Sequence, residues 1–286
     1  MTDRPTFAEL QSWSLCELAR ANISTSHHDV QLLLMAAGGL DKAGLIGQAQ
    51  KPCPVATIKT FKSHVRRRLN HEPVYRILGK REFHGLQLEL NEATLEPRDD
   101  TECLVEAVLR NIPDRNLEMR FLDLGTGTGA IALALLCELP VSTGVAVDID
   151  PRTLLAATNN AKANHLQNRF LSLCSNWFEE VSGDFDFIVS NPPYIASSIV
   201  QELDLEVRRF DPDIALDGGE DGLMAYRTIL ASAQAYLRPG GFLGLEIGHD
   251  QKESVQQLAR KTAWSDIQSF QDLAGRDRAM IMRCNL

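Results

Sequence analysis

The sequence predicts a doubly wound α/β fold with a small helical bundle at its N-terminus. From about residue 97 onward, strand-like apolar runs alternate with helix-like stretches, an order that builds a mostly parallel sheet covered by helices on both faces. The run Phe121-Leu122-Asp123-Leu124 enters the turn Gly125-Thr126-Gly127-Thr128-Gly129 and then a helical stretch, Ala130 to Glu138. That is the first half of a nucleotide-binding βαβ unit. The first 70 residues or so carry helical spacing instead.

Taken in order, Thr6-Phe7-Ala8-Glu9 and Ser26-His27-His28-Asp29 resemble capping boxes before apolar periodic stretches, where a hydroxyl caps one end and an acid three or so residues on reaches back. Gly38-Gly39 ends the second helix. Val55, Ile58, Phe61, Val65 and Leu69 follow helical spacing and read as bundle core, with Lys59, Lys62, Arg66 and Arg67 largely off that stripe as a solvated face. His27-His28 reads as surface beside the cap rather than a metal pair. Residues 73–96 alternate as a hairpin connector, giving the division 1–72 helical substrate-binding domain, 73–96 connector and 97–286 main domain. Strands are expected near 120–124, 144–149, 170–174, 185–190 and 241–247, with a last one near 279–284. Asp217 to Gly222 and Pro239-Gly240-Gly241 read as turns from their chemistry alone.

At 286 residues the chain can hold one large and one small domain. No run approaches the length of a membrane span, and the first residues lack the pattern of a signal sequence. Six dispersed cysteines without a C-x-x-C pair read as buried or incidental thiols of a reducing compartment, so a cytoplasmic protein without a structural metal is expected. Net charge is −9, but residues 1–80 carry +5 and the remainder −14. An acidic body is unsuited to wrapping a phosphate backbone. The basic head suits an acidic partner surface.

Two motifs carry chemistry. Glycines at 125, 127 and 129 permit positive φ and close backbone approach to a ligand. Asp148 follows nineteen residues after Gly129, at the end of the next strand, where a carboxylate accepts hydrogen bonds from ribose hydroxyls. The turn lacks the G-x-G-x-x-G spacing that seats a pyrophosphate, and Asp123 would repel a phosphate but suit a cation. A ligand with ribose, adenine, an ammonium and a sulfonium fits, which is S-adenosylmethionine. The second motif is Asn191-Pro192-Pro193-Tyr194, after the apolar run 185–190. The prolines fix φ and remove backbone donors, leaving carbonyls that only accept. The Asn side-chain oxygen adds an acceptor, and an aromatic ring can cover a flat amide or base. Alone, the string is equally a rigid turn; beside the glycine turn it is a device for holding a planar NH2 group.

At these residues the chain resembles the release-factor glutamine N5-methyltransferases, a family of S-adenosylmethionine-dependent amino-methylating enzymes with a Rossmann-like sheet. The resemblance extends over Glu72-Pro73-Val74, Arg81-Glu82-Phe83, Pro97-Arg98, Thr101-Glu102, Ser175 to Phe178, Leu216 to Gly222, Leu245 to Gly248 and Asp272 to Arg278. It implies that Gly125, Thr126, Gly127, Thr128, Gly129, Asp148, Trp177 and Asn191 contact the cofactor. It likewise implies that Asn191, Pro192, Pro193 and Tyr194 hold a glutamine amide of a peptide chain release factor. The residues show no metal constellation, and a monomer is the default expectation.

Three positions depart from the family pattern. Asn176 stands where an acid usually precedes the Trp, which predicts a modest loss of cofactor affinity because a neutral carbonyl accepts more weakly than a carboxylate. Glu96 and Asp99 replace an apolar residue and a proline beside Pro97-Arg98, leaving that segment's conformation open. Two rival functions use the same motifs. One is a nucleic-acid amino-methyltransferase acting on adenine N6 or guanine N2, with Tyr194 stacked on a flipped base. The other is a cofactor-binding adaptor without turnover.

Overall fold

The computed structural model describes residues 4–23 and 26–284, and its chain divides into two compact units. The first comprises the chain up to Gly79 together with Leu205–Phe210. Its helices are α1 (Phe7–Arg20), α2 (Ser26–Gly38), α3 (Lys42–Gly47), α4 (Val55–Leu69) and α5 (Val74–Leu78), and Leu205–Phe210 is the tenth helix along the chain, α10. Thr6 and Glu9 form the expected reciprocal capping box at α1. The side chain of Ser26, expected to cap α2, lies outside the described residues. Phe61 and Val65 of α4 join Leu18, Leu33 and Leu34 in the bundle core. Val55, at the helix start, stands 66% exposed, while Thr57 and Arg68 are buried in its place. Arg68 sits between two acids, with Nε 2.5 Å from Asp29 and Nη2 2.7 Å from Glu206 of α10.

The second unit begins with a hairpin, β1 (Lys80–Phe83) and β2 (Leu86–Glu89), so the connector region opens on the helical turn α5 before its strands pair. Then follow α6 (Glu102–Arg110), β3 (Arg120–Leu124), α7 (Ala130–Glu138), β4 (Thr143–Asp148), α8 (Pro151–Ala163), β5 (Phe170–Cys174) and β6 (Phe185–Ser190). After α9 (Ser197–Val200) come α11 (Met224–Ser232), β7 (Leu237–Glu246), α12 (Lys252–Lys261), β8 (Trp264–Gln271) and β9 (Asp277–Cys284). The seven-stranded sheet has the order β5-β4-β3-β6-β7-β9-β8. The first five pair in parallel, and β9 pairs antiparallel with both β7 and β8.

Both faces of this sheet are buried, which explains why its strands read as continuous apolar runs. Phe121, Phe187 and Val189 pack with α6, α7 and α8, whereas Leu122, Leu124 and Ile188 pack with α11 and α12. Phe121, Phe187 and Phe242 lie in register on β3, β6 and β7 and stack at 5.0 and 5.2 Å. Gly144 pairs with Phe121, and a Cβ there would meet the ring at 2.6 Å.

Two expectations change. Pro239-Gly240-Gly241 is not a turn between elements: β7 runs through it, and the register jumps from Phe185–Leu237 to Phe187–Phe242 across the extra residues. β8 escapes the sequence pattern because it is an edge strand of mixed polarity with two register shifts. Among the described residues no helix is long and apolar enough to cross a membrane.

Arg68→Ala is expected to destabilise the protein by about 3–5 kcal/mol in urea unfolding, since it strips the guanidinium from the buried Asp29 carboxylate. A loss below about 1 kcal/mol would show that the triad behaves as a solvent-screened surface pair.

Candidate active site

The C-terminal ends of β3, β4 and β6 converge because their registers align Leu124 with both Val147 and Ser190. Ser190 Oγ fastens this edge further by donating to the Leu124 carbonyl at 2.7 Å. The segments leaving these ends line one cleft of about 450 Å³.

After β3, the backbone N–H groups of Gly125 and Thr126 both bond to Val147 O at 2.9 Å, tying the glycine turn to β4. Gly125 and Gly127 have φ of 71° and 58°, and a Cβ at either would meet nothing within 4 Å. Glycine is required there by the left-handed backbone, and the space beyond is left open for a ligand. Gly129 differs: a Cβ would lie 3.2 Å from Leu133 and 3.3 Å from Ala157, so it lets α7 pack on α8. Of the five turn residues expected at a cofactor, Gly125 and Gly127 line the cleft, while Thr126, Thr128 and Gly129 lie behind it. Thr128 O accepts from Asn160 Nδ2 of α8 (2.9 Å), whose side chain also exchanges hydrogen bonds with the Glu89 backbone.

Asp123 lies fully buried beneath the turn rather than on the cleft surface. Its Oδ2 accepts from Thr126 Oγ1 at 2.7 Å and Oδ1 has no partner. Burial pushes its carboxyl up to about 7, against the opposing hydrogen bonds from Thr126 and the Ala132 backbone. Asp148 does reach the cleft, with Oδ2 accepting from Gly127 N (3.0 Å) and Oδ1 from Asp150 N (3.2 Å). Burial raises its pKa too, partly countered by those N–H groups.

Beyond β5, Ser175, Asn176 and Trp177 line the cleft. Trp177 is held at φ 52° by Ser175 Oγ, which donates to its carbonyl and accepts from Glu180 N. Asn176 Nδ2 donates to Glu179 Oε1 at 2.8 Å. A carboxylate only accepts, so the side-chain carbonyl of Asn176 is the end left for a ligand.

At the corner after β6, Asn191 and Pro193 line the cleft, Pro192 is buried behind them, and the Tyr194 hydroxyl lies 3.3 Å from Glu246 Oε1 and 3.4 Å from Arg278 Nη1. Asn191 Nδ2 donates to Thr101 Oγ1 at 3.2 Å, which leaves its Oδ1 as the acceptor. Glu246 is buried at the end of β7; burial pushes it up to about 7, opposed by hydrogen bonds from Thr101 and Tyr194 and by the charge of Arg278.

The Asp217–Gly222 turn braces the corner. Ile195 N bonds to Leu216 O and Gly218 N to Ile195 O, while Gln251 Nε2 bridges the carbonyls of Tyr194 and Gly222. Through this brace Asp217 and Gly219 reach the cleft, and Asp213 to Ala215 line it as well. The departures at 96 and 99 also find a role: Arg81 pairs with Glu96 and, at 2.6 Å, with Asp99, so one guanidinium grips both sides of Pro97-Arg98. Arg98 in turn holds Asp211 at 2.5 Å. Leu95, Ile149 and the 213–215 segment had no signal in the sequence as cleft residues, being apolar or loop positions of no special pattern.

Residues 99–207 match the methyltransferase small domain model and residues 9–79 the PrmC N-terminal domain model. The release factor glutamine methyltransferase of Agrobacterium fabrum is 44% identical over 269 residues, 93% of each chain. That of Bradyrhizobium diazoefficiens is 42% identical, covering 93% of this chain and 91% of its own. A Thermus thermophilus 16S rRNA N2 G1207 methyltransferase solved with AdoMet and guanosine shares the fold, with TM-score 0.50, 21% identity, and 72% of this chain matching 50% of that one.

Two measurements test the site. Asn176→Asp alone is expected to change S-adenosylmethionine affinity less than about threefold, because Glu179 repels the new carboxylate. Asn176→Asp with Glu179→Gln is expected to tighten it about five- to tenfold by calorimetry; no gain in the double variant would remove Asn176 from cofactor binding. The second concerns pH. The Asp123 carboxyl, pushed up to about 7 from an ordinary 3.8, keeps its proton when folded across a range where the unfolded chain has lost it. Stability therefore falls as pH rises from about 4 to about 7. Asp123→Asn is expected to flatten that decline in urea unfolding, and an unchanged slope would contradict the assignment.

Proposed function

The chain belongs to the release factor glutamine methyltransferase family, and from that premise we propose that its cleft binds S-adenosylmethionine and presents to it a glutamine side-chain amide of a peptide chain release factor. The observation that carries this reading is Asn191: its amide nitrogen is committed to Thr101, so its carbonyl oxygen is the acceptor left for the cleft.

The residues present fit the cofactor. Gly125 and Gly127 leave open space beside their backbone, and Asp148 offers a carboxylate for ribose hydroxyls. Asn176 turns a carbonyl outward for the adenine amino group, and Trp177 adds an aromatic wall. When bound, S-adenosylmethionine supplies a methyl group made electrophilic by its sulfonium.

An amide nitrogen is a poor nucleophile because its lone pair is delocalised into the carbonyl. Asn191 Oδ1 accepts from one N–H of the substrate amide, drawing electron density onto nitrogen and fixing its direction. The corner's prolines add backbone carbonyls without competing donors. Orientation of this kind supplies up to about 7–11 kcal/mol in well-aligned systems. The proton need not leave first, since the nitrogen becomes acidic once the new bond forms, and water can take it.

The helical segment 1–72 is proposed as the docking part for the release factor, its positive balance meeting an acidic protein surface. The substrate places the reaction in the cytoplasm. Base methylation by the same corner is set aside, because the likeness to the rRNA enzyme is one of fold alone.

Asn191→Ala is expected to lower methyl transfer to a purified release factor about a hundredfold or more, with S-adenosylmethionine affinity changed less than about threefold. Transfer at the wild-type rate by a folded, cofactor-binding variant would overturn the assignment.

A further inference from the structure

The carbonyl that closes the Asn191–Tyr194 corner is held by a side chain that does not line the cleft. Gln251 stands at the N-terminal end of α12. Its Nε2 donates to Tyr194 O at 2.9 Å and to Gly222 O at 3.3 Å. Its Oε1 accepts from Gly248 N at 3.0 Å, with the Tyr226 hydroxyl of α11 3.3 Å away on the same side. Backbone groups fix the direction of this amide, since two carbonyls that only accept face one end and an N–H that only donates faces the other.

Three glycines keep room for the arrangement. A Cβ at Gly248 would lie 2.7 Å from Gln251 Oε1, one at Gly222 2.8 Å from Gln251 Nε2, and one at Gly218 2.9 Å from Pro193 O. Ser197 N adds a further bond across the joint, to Gly219 O at 2.9 Å. Both sides of the joint carry cleft residues, Asn191 and Pro193 on one and Asp217 and Gly219 on the other.

We infer that Gln251 is a positioning residue for methyl transfer: its amide pins the corner to the 217–222 turn and so fixes where the Asn191 carbonyl stands. Residues 192 and 193 are prolines without an N–H to anchor them. The corner is therefore held from its ends, at Asn191 by Thr101 and at the Tyr194 carbonyl by Gln251. A shift of 1 Å in a group that orients the reacting nitrogen costs about a hundredfold in rate. Gly125, Gly127 and Asp148 are held by β4 and by one another, so cofactor binding is spared. The inference rests on the role proposed above for Asn191 and concerns a residue that touches neither substrate nor cofactor.

The test compares Gln251→Glu, Gln251→Met and Gly248→Ala with wild type at about pH 8.5, where an ordinary glutamate is ionised. The readouts are kcat per folded enzyme, KM for a purified release factor, and S-adenosylmethionine affinity by calorimetry. Gln251→Glu keeps the shape and the bond from Gly248 N, but it sets an acceptor against two carbonyls. Gln251→Met removes the donors without that repulsion. Gly248→Ala leaves Gln251 in the chain and pushes its amide aside. Gln251→Met and Gly248→Ala are each expected to lower kcat about tenfold, the worth of one lost hydrogen bond, and Gln251→Glu at least as much. KM and cofactor affinity are expected to change less than about threefold. Wild-type kcat in folded Gln251→Glu would overturn the inference, as would a loss of cofactor affinity equal to the loss in kcat. Should both Gln251 variants fail to fold, Gly248→Ala decides, and wild-type kcat there would sink it. A slow Asn191→Ala beside an unaffected Gln251→Glu rejects this role only, whereas an active Asn191→Ala rejects the reading of the corner itself.

Discussion

The cleft follows from the parallel pairing of β3 with β4 and β6. Once Leu124 lies beside both Val147 and Ser190, the chain leaves the sheet at one level in three places, and the glycine turn, Asp148 and the Asn-Pro-Pro-Tyr corner must share a rim. The apolar residues that enforce this register are buried on both sheet faces, so a slip by one residue would exchange Phe121 and Leu122 between two differently shaped cores. The ladder Phe121, Phe187 and Phe242 makes the register sterically specific, and Gly144 leaves the space its first ring needs.

Beneath each of the two chemical motifs lies a buried acid. Asp123 supports the glycine turn through Thr126, and Glu246 supports the corner through Tyr194. Burial of either carboxyl is unfavourable and raises its pKa toward neutrality. In return each gives a buried hydroxyl of its motif a hydrogen-bond partner, which apolar packing cannot do. Rigidity at the rim thus comes from polar groups whose donors and acceptors are matched, standing on an apolar sheet.

The segment between the hairpin and α6 shows how a locally unusual sequence is accommodated. Glu96 and Asp99 bracket Pro97-Arg98 with negative charge, and Arg81 from β1 neutralises both. Because Leu95 lines the cleft and Thr101 holds Asn191, this ionic grip bears on the site even though none of the three charged groups lines it. Asn176 is a parallel case, its amide direction settled by Glu179.

The sequence by itself determined what depends on neighbours in the chain. Strands 120–124, 170–174 and 185–190 have the bounds of their apolar runs, the α1 capping box forms as its spacing requires, and the glycine turn and the proline corner stand at strand ends. Local signals failed where the partner strand supplies the stability, as for the polar edge strand β8, or where a bulge replaces a turn, as at Pro239-Gly240-Gly241. The structure alone decided which motif residues face the cleft: Gly125, Gly127, Asp148, Trp177 and Asn191 do, whereas Thr126, Thr128 and Gly129 turn inward to hold the loop. It also decided how the side-chain amides of Asn176 and Asn191 are turned. Thr101 lies ninety residues from Asn191 in the chain. A hydrogen bond takes its direction from whichever group stands opposite, and only the folded sheet brings that group there.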